Sequence, residues 1–150
     1  MPLSAPPVDQ AQDSALYQEV LHFYARQMRS LDEGEVADWA GTFTEDGVFR
    51  ANAHPQPQEG RPAILRGATE ANRKLVEQNV QRRHWLGMLQ VSRNPDGSLT
   101  ARTYAQIIAT PQGGKAGLEL SCSCEDLLVR EDGRLLVRHR QVYRDDLPRS

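Results

Sequence analysis

The sequence has little net charge and no long hydrophobic run. Lysine and arginine total 18 against 20 aspartate and glutamate residues, so the formal net charge of the 150-residue chain is −2. This balance removes the electrostatic argument for binding nucleic acid or an anionic membrane. No apolar stretch approaches the roughly 20 residues that a membrane-spanning helix needs. These absences favour a cytoplasmic protein whose partners are neither nucleic acids nor membranes.

The sequence also lacks the motifs of metal and cofactor sites. Its two cysteines are Cys122 and Cys124, and strand residues i and i+2 lie about 6–7 Å apart, which strains a direct disulfide. We therefore expect free thiols. The histidines show no metal-ligand spacing, and no glycine-rich phosphate loop or Gly-x-Ser-x-Gly motif is present. The sequence predicts acid–base chemistry without a metal or cofactor.

The chain begins with a proline-rich segment. Residues 1–12 contain three prolines among small and polar residues, which predicts a flexible N-terminal arm before a single domain over residues 13–150. Asp13 is a candidate N-cap of a first helix. Apolar residues then recur every three or four positions until Gly34, which predicts one amphipathic helix of about five turns.

Shorter elements follow this helix. The pattern predicts a second helix over residues 35–43, a turn at 45–47 and a short strand over 48–52. Pro62 suits the first turn of a third helix, in which Gly67 is a possible break.

The second half changes to a period of two, which is typical of strands. Four strands are predicted over residues 82–93, 98–110, 115–130 and 134–144, separated by Asn-Pro-Asp-Gly, Pro-Gln-Gly-Gly and Glu-Asp-Gly turn signals. Helices followed by an antiparallel meander indicate an α+β fold, a cone-shaped barrel with the N-terminal helices on a strongly curved sheet. Such a fold leaves an internal cavity suited to a small molecule. The sheet sequences are apolar on both faces, so we expect a homodimer that buries one of them.

Several strings carry a family resemblance. Residues 32–49 read D-x-G-x-x-x-x-W-x-x-x-F-T-x-D-G-x-F, and RRHWLG, ARTYA and DGRLLVRHRQVYRD follow in the strands. Over residues 13–145 the chain resembles the SnoaL-like branch of the nuclear-transport-factor-two-like superfamily. That superfamily includes ketosteroid isomerase, scytalone dehydratase, limonene epoxide hydrolase, polyketide cyclases, dioxygenase β subunits and binding proteins, and a shared fold does not choose among them.

The resemblance implies a catalytic pair. In the scytalone-dehydratase-like pattern, an Asp at the end of the first helix orients a His from the first long strand, and the matching residues here are Asp32 and His84. An imidazole can both accept and donate a proton near neutral pH. The alternative is that Asp32 caps local backbone and His84 is a satisfied, half-buried side chain.

Other members of the superfamily match less completely. The second His of scytalone dehydratase is replaced by Ala109, and His139 is either a substitute or a dimer-interface residue. The Arg-x-Asp of limonene epoxide hydrolase becomes Arg102-Thr-Tyr104, with Asp126 on the next strand. Arg102 is therefore also a candidate structural partner of Asp126 or Glu125.

For ketosteroid isomerase, Tyr17 or Tyr24 is a candidate oxyanion donor, but nothing marks the protonated Asp that must face it.

The resemblance thus implies a cofactor-independent cyclase, dehydratase or isomerase acting on a hydrophobic, aromatic polyketide-type intermediate. The alternatives are a non-catalytic ligand-binding or oxygenase β-subunit-like protein and an epoxide hydrolase. The candidate substrate-binding residues are Tyr24, Trp39, Phe49, Leu86, Met88, Arg102 and Tyr104. Aromatic residues at such spacings are also common in an ordinary core. By alternation, His84, Leu86 and Met88 are expected on one strand face.

Overall fold

The computed structural model describes residues 10–149, with side chains from residue 13 onward. Its elements are α1 (Gln10–Asp32), α2 (Val36–Ala40), β1 (Phe43–Ala51), β2 (Gln58–Glu59), α3 (Arg61–Gln78), β3 (Val80–Arg93), β4 (Leu99–Pro111), β5 (Gly117–Glu131) and β6 (Arg134–Arg144). Of the predicted N-terminal arm, residues 1–9 lie outside the described residues, and residues 10–12 belong to α1.

The strands form one sheet in the order β2-β1-β6-β5-β4-β3. Neighbours from β3 to β6 pair antiparallel, as the turn signals predict. β1 lies parallel to β6, and β2 pairs antiparallel with β1. The predicted α+β class is confirmed, but the sheet stays open and does not close into a barrel.

The segment after α2 differs from the prediction. α2 ends at Ala40 and not at Phe43, because Phe43 already pairs with Val137 of β6. The turn predicted at residues 45–47 is an irregularity inside β1, where the register with β6 shifts between Phe43 and Val48. Pairing with a distant strand therefore overrides the local turn signal.

Two helix predictions are also corrected. α3 runs unbroken through Gly67, where an added Cβ would lie 2.1 Å from Nε2 of Gln58. Gly67 thus permits a close approach of β2 and does not end the helix. α1 begins before Asp13, whose carboxylate lies in the first turn and pairs with Arg93 at 2.7 Å.

The sheet has one face toward the helices, here called the inner face, and an opposite outer face. On β4 the inner residues Ala101, Thr103 and Ala105 are buried, whereas Arg102 and Tyr104 are exposed on the outer face. The core between α1 and the inner face includes Val20, Phe23, Phe43, Leu128 and Val137. Among the described helices, none is long and apolar enough to cross a membrane.

Candidate active site

A cavity of about 1140 Å³ lies between the helices and the inner face of the sheet. Its volume lies slightly above the usual range of about 300–1,000 Å³ for small-molecule sites. Most of its wall is apolar and comes from α1, α3 and the inner face. The apolar lining includes Met28, Leu31, Trp39, Phe49, Ala68, Leu75, Leu86 and Ile107.

Asp32 and His84 meet at the wall of this cavity. Oδ1 of Asp32 lies 2.6 Å from Nδ1 of His84, and the backbone N–H of His84 donates to Oδ2 at 3.0 Å. The two side chains are 8% and 16% exposed. The carboxylate therefore fixes both the ring and the backbone of His84.

The local fold explains why Asp32 can reach β3. Asp32 is the last residue of α1, and Gly34, at φ 80°, turns the chain away immediately afterwards. Positive φ is inexpensive only for glycine. The side chain of Gln81, at the start of β3, donates to the Asp32 carbonyl at 2.9 Å. The end of the helix is thus tied to the strand that carries His84.

This arrangement favours one imidazole tautomer. A carboxylate on Nδ1 favours the form with its proton on Nδ1, which makes Nε2 a lone-pair acceptor. All hydrogen bonds of the His84 ring to described side chains run through Nδ1. Nε2 is therefore the nitrogen that can exchange a proton with a ligand in the cavity.

Three of the other predicted residues belong to the cavity wall. Trp39, Phe49 and Leu86 all line it. The rings of Trp39 and Phe49 lie 6.3 Å apart and inclined at 60°, which is a favourable aromatic geometry. Tyr24 is 5% exposed but is not a lining residue, because its hydroxyl points into a buried polar cluster.

Met88, Arg102 and Tyr104 are not among the residues that line the cavity, so the structure does not bring these three predicted substrate-binding residues to it. The register of β3 with β4 shifts between Gly87 and Gln90, and Met88 takes a φ of 53°. This bulge breaks the alternation and leaves Met88 74% exposed.

Arg102 and Tyr104 do share one face, as expected, but it is the outer face. Arg102 pairs loosely with Glu125 at 3.7 Å, which is one of the structural alternatives foreseen for it. It makes no ion pair with Asp126. The arginine and carboxylate of the epoxide-hydrolase pattern are therefore on opposite faces of the sheet, and that site is not assembled.

A buried polar cluster around Arg140 was missed. Asp126 accepts from Nε of Arg140 at 2.9 Å and from Nη2 at 2.8 Å, and from the Tyr24 hydroxyl at 2.7 Å. Nη2 also donates to Oε1 of Gln27 at 2.7 Å. Arg140 and Asp126 are 4% and 2% exposed. The signal was present in the sequence: acids at positions 125 and 126 and arginines at 138 and 140 interrupt apolar runs on adjacent predicted strands, where unpaired burial would be costly.

Burial and charge shift the pKa values of Tyr24 and Arg140 in this cluster. Burial, followed by the Asp126 charge, raises the pKa of Tyr24 well above its usual value, so the phenol remains a donor. Burial alone would lower the pKa of Arg140, but its attraction to Asp126 and their hydrogen bonds raise it overall. With Asp126 paired in this way, Tyr24 and Asp126 do not form the neutral oxyanion donors of the ketosteroid-isomerase pattern.

The two cysteines are free thiols, as expected. Both line the cavity, and burial raises the pKa of Cys124 to about 12. Its sulfur is therefore a protonated thiol near neutral pH and a poor nucleophile. Within residues 10–149, no group of three or more His, Cys, Asp or Glu residues is placed to hold a metal ion.

An open, curved sheet and helices that enclose a largely apolar cavity with a His–Asp pair at its wall define the class of this protein as a cavity-bearing α+β domain. The chain belongs to the SnoaL-like domain family, whose model matches residues 12–141. The resemblance seen in the sequence is thereby confirmed.

Solved structures agree with this assignment. ActVI-ORFA from Streptomyces coelicolor is 38% identical, with a TM-score of 0.83 over 90% of this chain and 98% of that chain. Aln2 from a Streptomyces species is 34% identical, with a TM-score of 0.82 over 95% and 96%. A Catenulispora acidiphila protein in complex with S-DNPA is 41% identical, with a TM-score of 0.77 over 89% and 96%. Among curated proteins, none matches the chain.

Proposed function

We propose that the protein is a cofactor-independent acid–base enzyme, a cyclase, dehydratase or isomerase, that acts on a hydrophobic, aromatic polyketide-type intermediate. The observation that carries this proposal is the Asp32–His84 pair at the wall of a large apolar cavity, in which Nε2 of His84 makes no hydrogen bond to the described side chains. The SnoaL-like family and the ligand complex of the Catenulispora acidiphila relative support a small organic substrate.

In the proposed reaction, Nε2 of His84 removes a proton from a carbon next to a carbonyl group. The C–H electron pair moves into an enolate, and the ring becomes an imidazolium that Asp32 stabilises at 2.6 Å. Nε2 then returns the proton to a leaving hydroxyl, to a carbonyl oxygen that is attacked, or to another carbon. These outcomes are dehydration, cyclisation and isomerisation, and all three use the same base.

The apolar wall supports this chemistry in two ways. Trp39 and Phe49 offer aromatic surface against which a flat substrate can pack. Exclusion of water by the ligand also strengthens the interaction between Asp32 and the imidazolium. We therefore assign Trp39, Phe49 and Leu86 to the substrate-binding wall.

The test uses two histidines of one chain. His84→Ala should lower the turnover of aromatic β-hydroxyketones, which can lose water, and of aromatic diketones, which can cyclise, by roughly 10²–10⁴, since that is the usual contribution of a general acid–base group. His139→Ala is the matched control, because His139 does not line the cavity. Mass spectrometry separates loss of water from rearrangement without change in mass. If His84→Ala keeps turnover within about threefold while ligands still bind, the cavity is a binding site without catalysis.

We also propose that the protein forms a homodimer through the outer face of the sheet. Trp85 and Tyr104 lie on neighbouring strands of that face and are 69% and 63% exposed. Large aromatic side chains left exposed together commonly mark protein–protein interfaces. Met88, at 74% exposed, extends this apolar surface.

A further inference from the structure

Arg140 has one nitrogen that the protein does not use. Nε and Nη2 donate to Asp126 and Gln27, but Nη1 makes no hydrogen bond to the described side chains. In the described part of the chain, Nε1 of Trp39 is the sole side-chain nitrogen or oxygen that is both fully buried and without a partner. Nη1 of Arg140 has no partner either, so it is not fully buried. Arg140 lines the cavity although it is only 4% exposed. The unused donor therefore opens onto the cavity.

A second unsatisfied donor lies at the same end. Trp39 lines the cavity and is 5% exposed, and its Nε1–H has no acceptor. Trp39 and Arg140 both pack against Phe43, with the Trp39 ring 5.0 Å and the Arg140 Cζ 5.3 Å from the centre of its ring. Buried donors without partners are rare in folded proteins. Nε1 of Trp39 is itself sealed by the protein, so Nη1 of Arg140 is the one of these two donors that an acceptor on a ligand in the cavity can reach.

The charge balance limits what this acceptor can be. The Arg140 guanidinium is already neutralised by Asp126 through two hydrogen bonds. A ligand carboxylate here would leave a net negative charge in an apolar site, and burial of an uncompensated charge is costly. An uncharged carbonyl oxygen can accept a hydrogen bond from Nη1 without that cost.

The location complements the Asp32–His84 pair. Arg140 is bonded to Gln27 and His84 to Asp32, and both partners belong to α1. Five residues of helix separate Gln27 from Asp32, which is about 7.5 Å along the helix axis. One cavity thus has a hydrogen-bond donor at one position and a base at another, and each is held by a side chain of α1.

We propose that Arg140 is a substrate-binding residue whose Nη1 donates a hydrogen bond to a carbonyl oxygen of the aromatic substrate. The inference rests on the proposed function, since it assigns this residue to the same cavity. Arg140 orients the substrate so that a carbon distant from the bound carbonyl approaches Nε2 of His84.

Binding of small probes tests this proposal without any need for turnover. We expect α-tetralone, an aromatic ketone, to bind roughly tenfold more tightly than tetralin, its hydrocarbon analogue, since a hydrogen bond from a charged donor has about that effect. Tetralin carboxylate should bind more weakly than α-tetralone. Titration calorimetry measures all three. Equal affinity of the ketone and the hydrocarbon, no binding of either, or tightest binding of the carboxylate would overturn the proposal.

Variants then locate the contact. Arg140→Lys keeps the positive charge but removes Nη1, so the preference for the ketone should fall below about threefold. Arg144→Lys is the matched control, because Arg144 also lines the cavity but pairs with Asp146. His84→Ala should retain the preference, which separates a failure of this proposal from a failure of the acid–base mechanism. A preference that persists in Arg140→Lys contradicts the proposal.

A measurement on the unaltered protein covers the case in which Arg140→Lys does not fold. The arginine N–H resonances in a ¹⁵N NMR spectrum should include one side chain that shifts on addition of α-tetralone and does not shift with tetralin. The shifting signal should belong to a slowly exchanging guanidinium, as burial of Arg140 requires. If all arginine signals stay in place with the bound ketone, the inference is wrong.

Discussion

Replacement of Asp32 by asparagine tests the tautomer on which the mechanism depends. The two carboxylate oxygens of Asp32 accept from the backbone N–H and from Nδ1 of His84. An amide has a single oxygen, so in Asp32→Asn one of these contacts must become an N–H group. If the oxygen keeps the backbone hydrogen bond, the amide donates to Nδ1 and forces the ring proton onto Nε2. The nitrogen facing the substrate is then no longer a base.

The magnitudes separate this effect from a loss of stability. Asp32→Asn keeps one hydrogen bond and exchanges a charge-assisted one for a neutral one, which costs about 1–2 kcal/mol of the free energy of unfolding. A domain of this size is commonly stable by about 5–15 kcal/mol, so it should remain folded. The turnover number, in contrast, should fall by roughly 10²–10⁴.

Asp32→Ala provides the matched comparison. Alanine removes both acceptors, so it should destabilise the protein more than asparagine does. It leaves the imidazole of His84 free to take either tautomer, however, so its turnover should be at least as high as that of Asp32→Asn. Asp32→Asn should therefore be the more stable of the two variants, and Asp32→Ala should be at least as active.

Three measurements check this order: urea denaturation for stability, the turnover number for activity, and ¹⁵N NMR of the imidazole for the protonated nitrogen of His84. An Asp32→Asn protein with turnover within about threefold of the unaltered protein would refute the reasoning. A ring that still carries its proton on Nδ1 would refute it as well.

Two further predictions concern the buried cluster and the outer face. Tyr24→Phe removes a buried donor to Asp126 and should lower the free energy of unfolding by about 1.5–3 kcal/mol, measured by urea titration. Tyr17→Phe is its control: this tyrosine is exposed, so the change should be less than about 0.5 kcal/mol. Trp85→Lys should raise the dimer dissociation constant by at least about 30-fold in sedimentation experiments, since a central aromatic residue often contributes 2 kcal/mol or more. Leu21→Lys on the exposed side of α1 is its control, and a dimer unaffected by Trp85→Lys would place the interface elsewhere.

Much of the fold could be predicted because its signals are local. The turn sequences between residues 94 and 133 bound β3 to β6 to within about two residues of their observed ends. Pro62 marked the start of α3 because its fixed φ suits a first helical turn. Strand period and turn chemistry need only a few neighbouring residues, so the sequence contains them directly.

The errors arise where distant pairing decides the structure. Alternation correctly groups Arg102 with Tyr104, but it does not tell which of two faces meets the helices. The bulge at Met88 is a mismatch between β3 and β4 that neither strand reveals alone. The Asp32–His84 contact was found only because the family resemblance supplied the pairing, since these residues are 52 positions apart.

The same limit explains why Arg140 was overlooked, and it gives the buried ion pair a physical meaning. A buried Arg–Asp pair stabilises a fold no more than well-packed apolar residues do, because desolvation offsets the attraction. Stability alone therefore does not account for its position beside the cavity. What the pair provides is a rigid donor. Nε and Nη2 of Arg140 donate to Asp126, and Nη2 also donates to Gln27, so the guanidinium plane is fixed and Nη1 has a fixed direction. A donor that needs no reorganisation is what orientation of a substrate against a base requires.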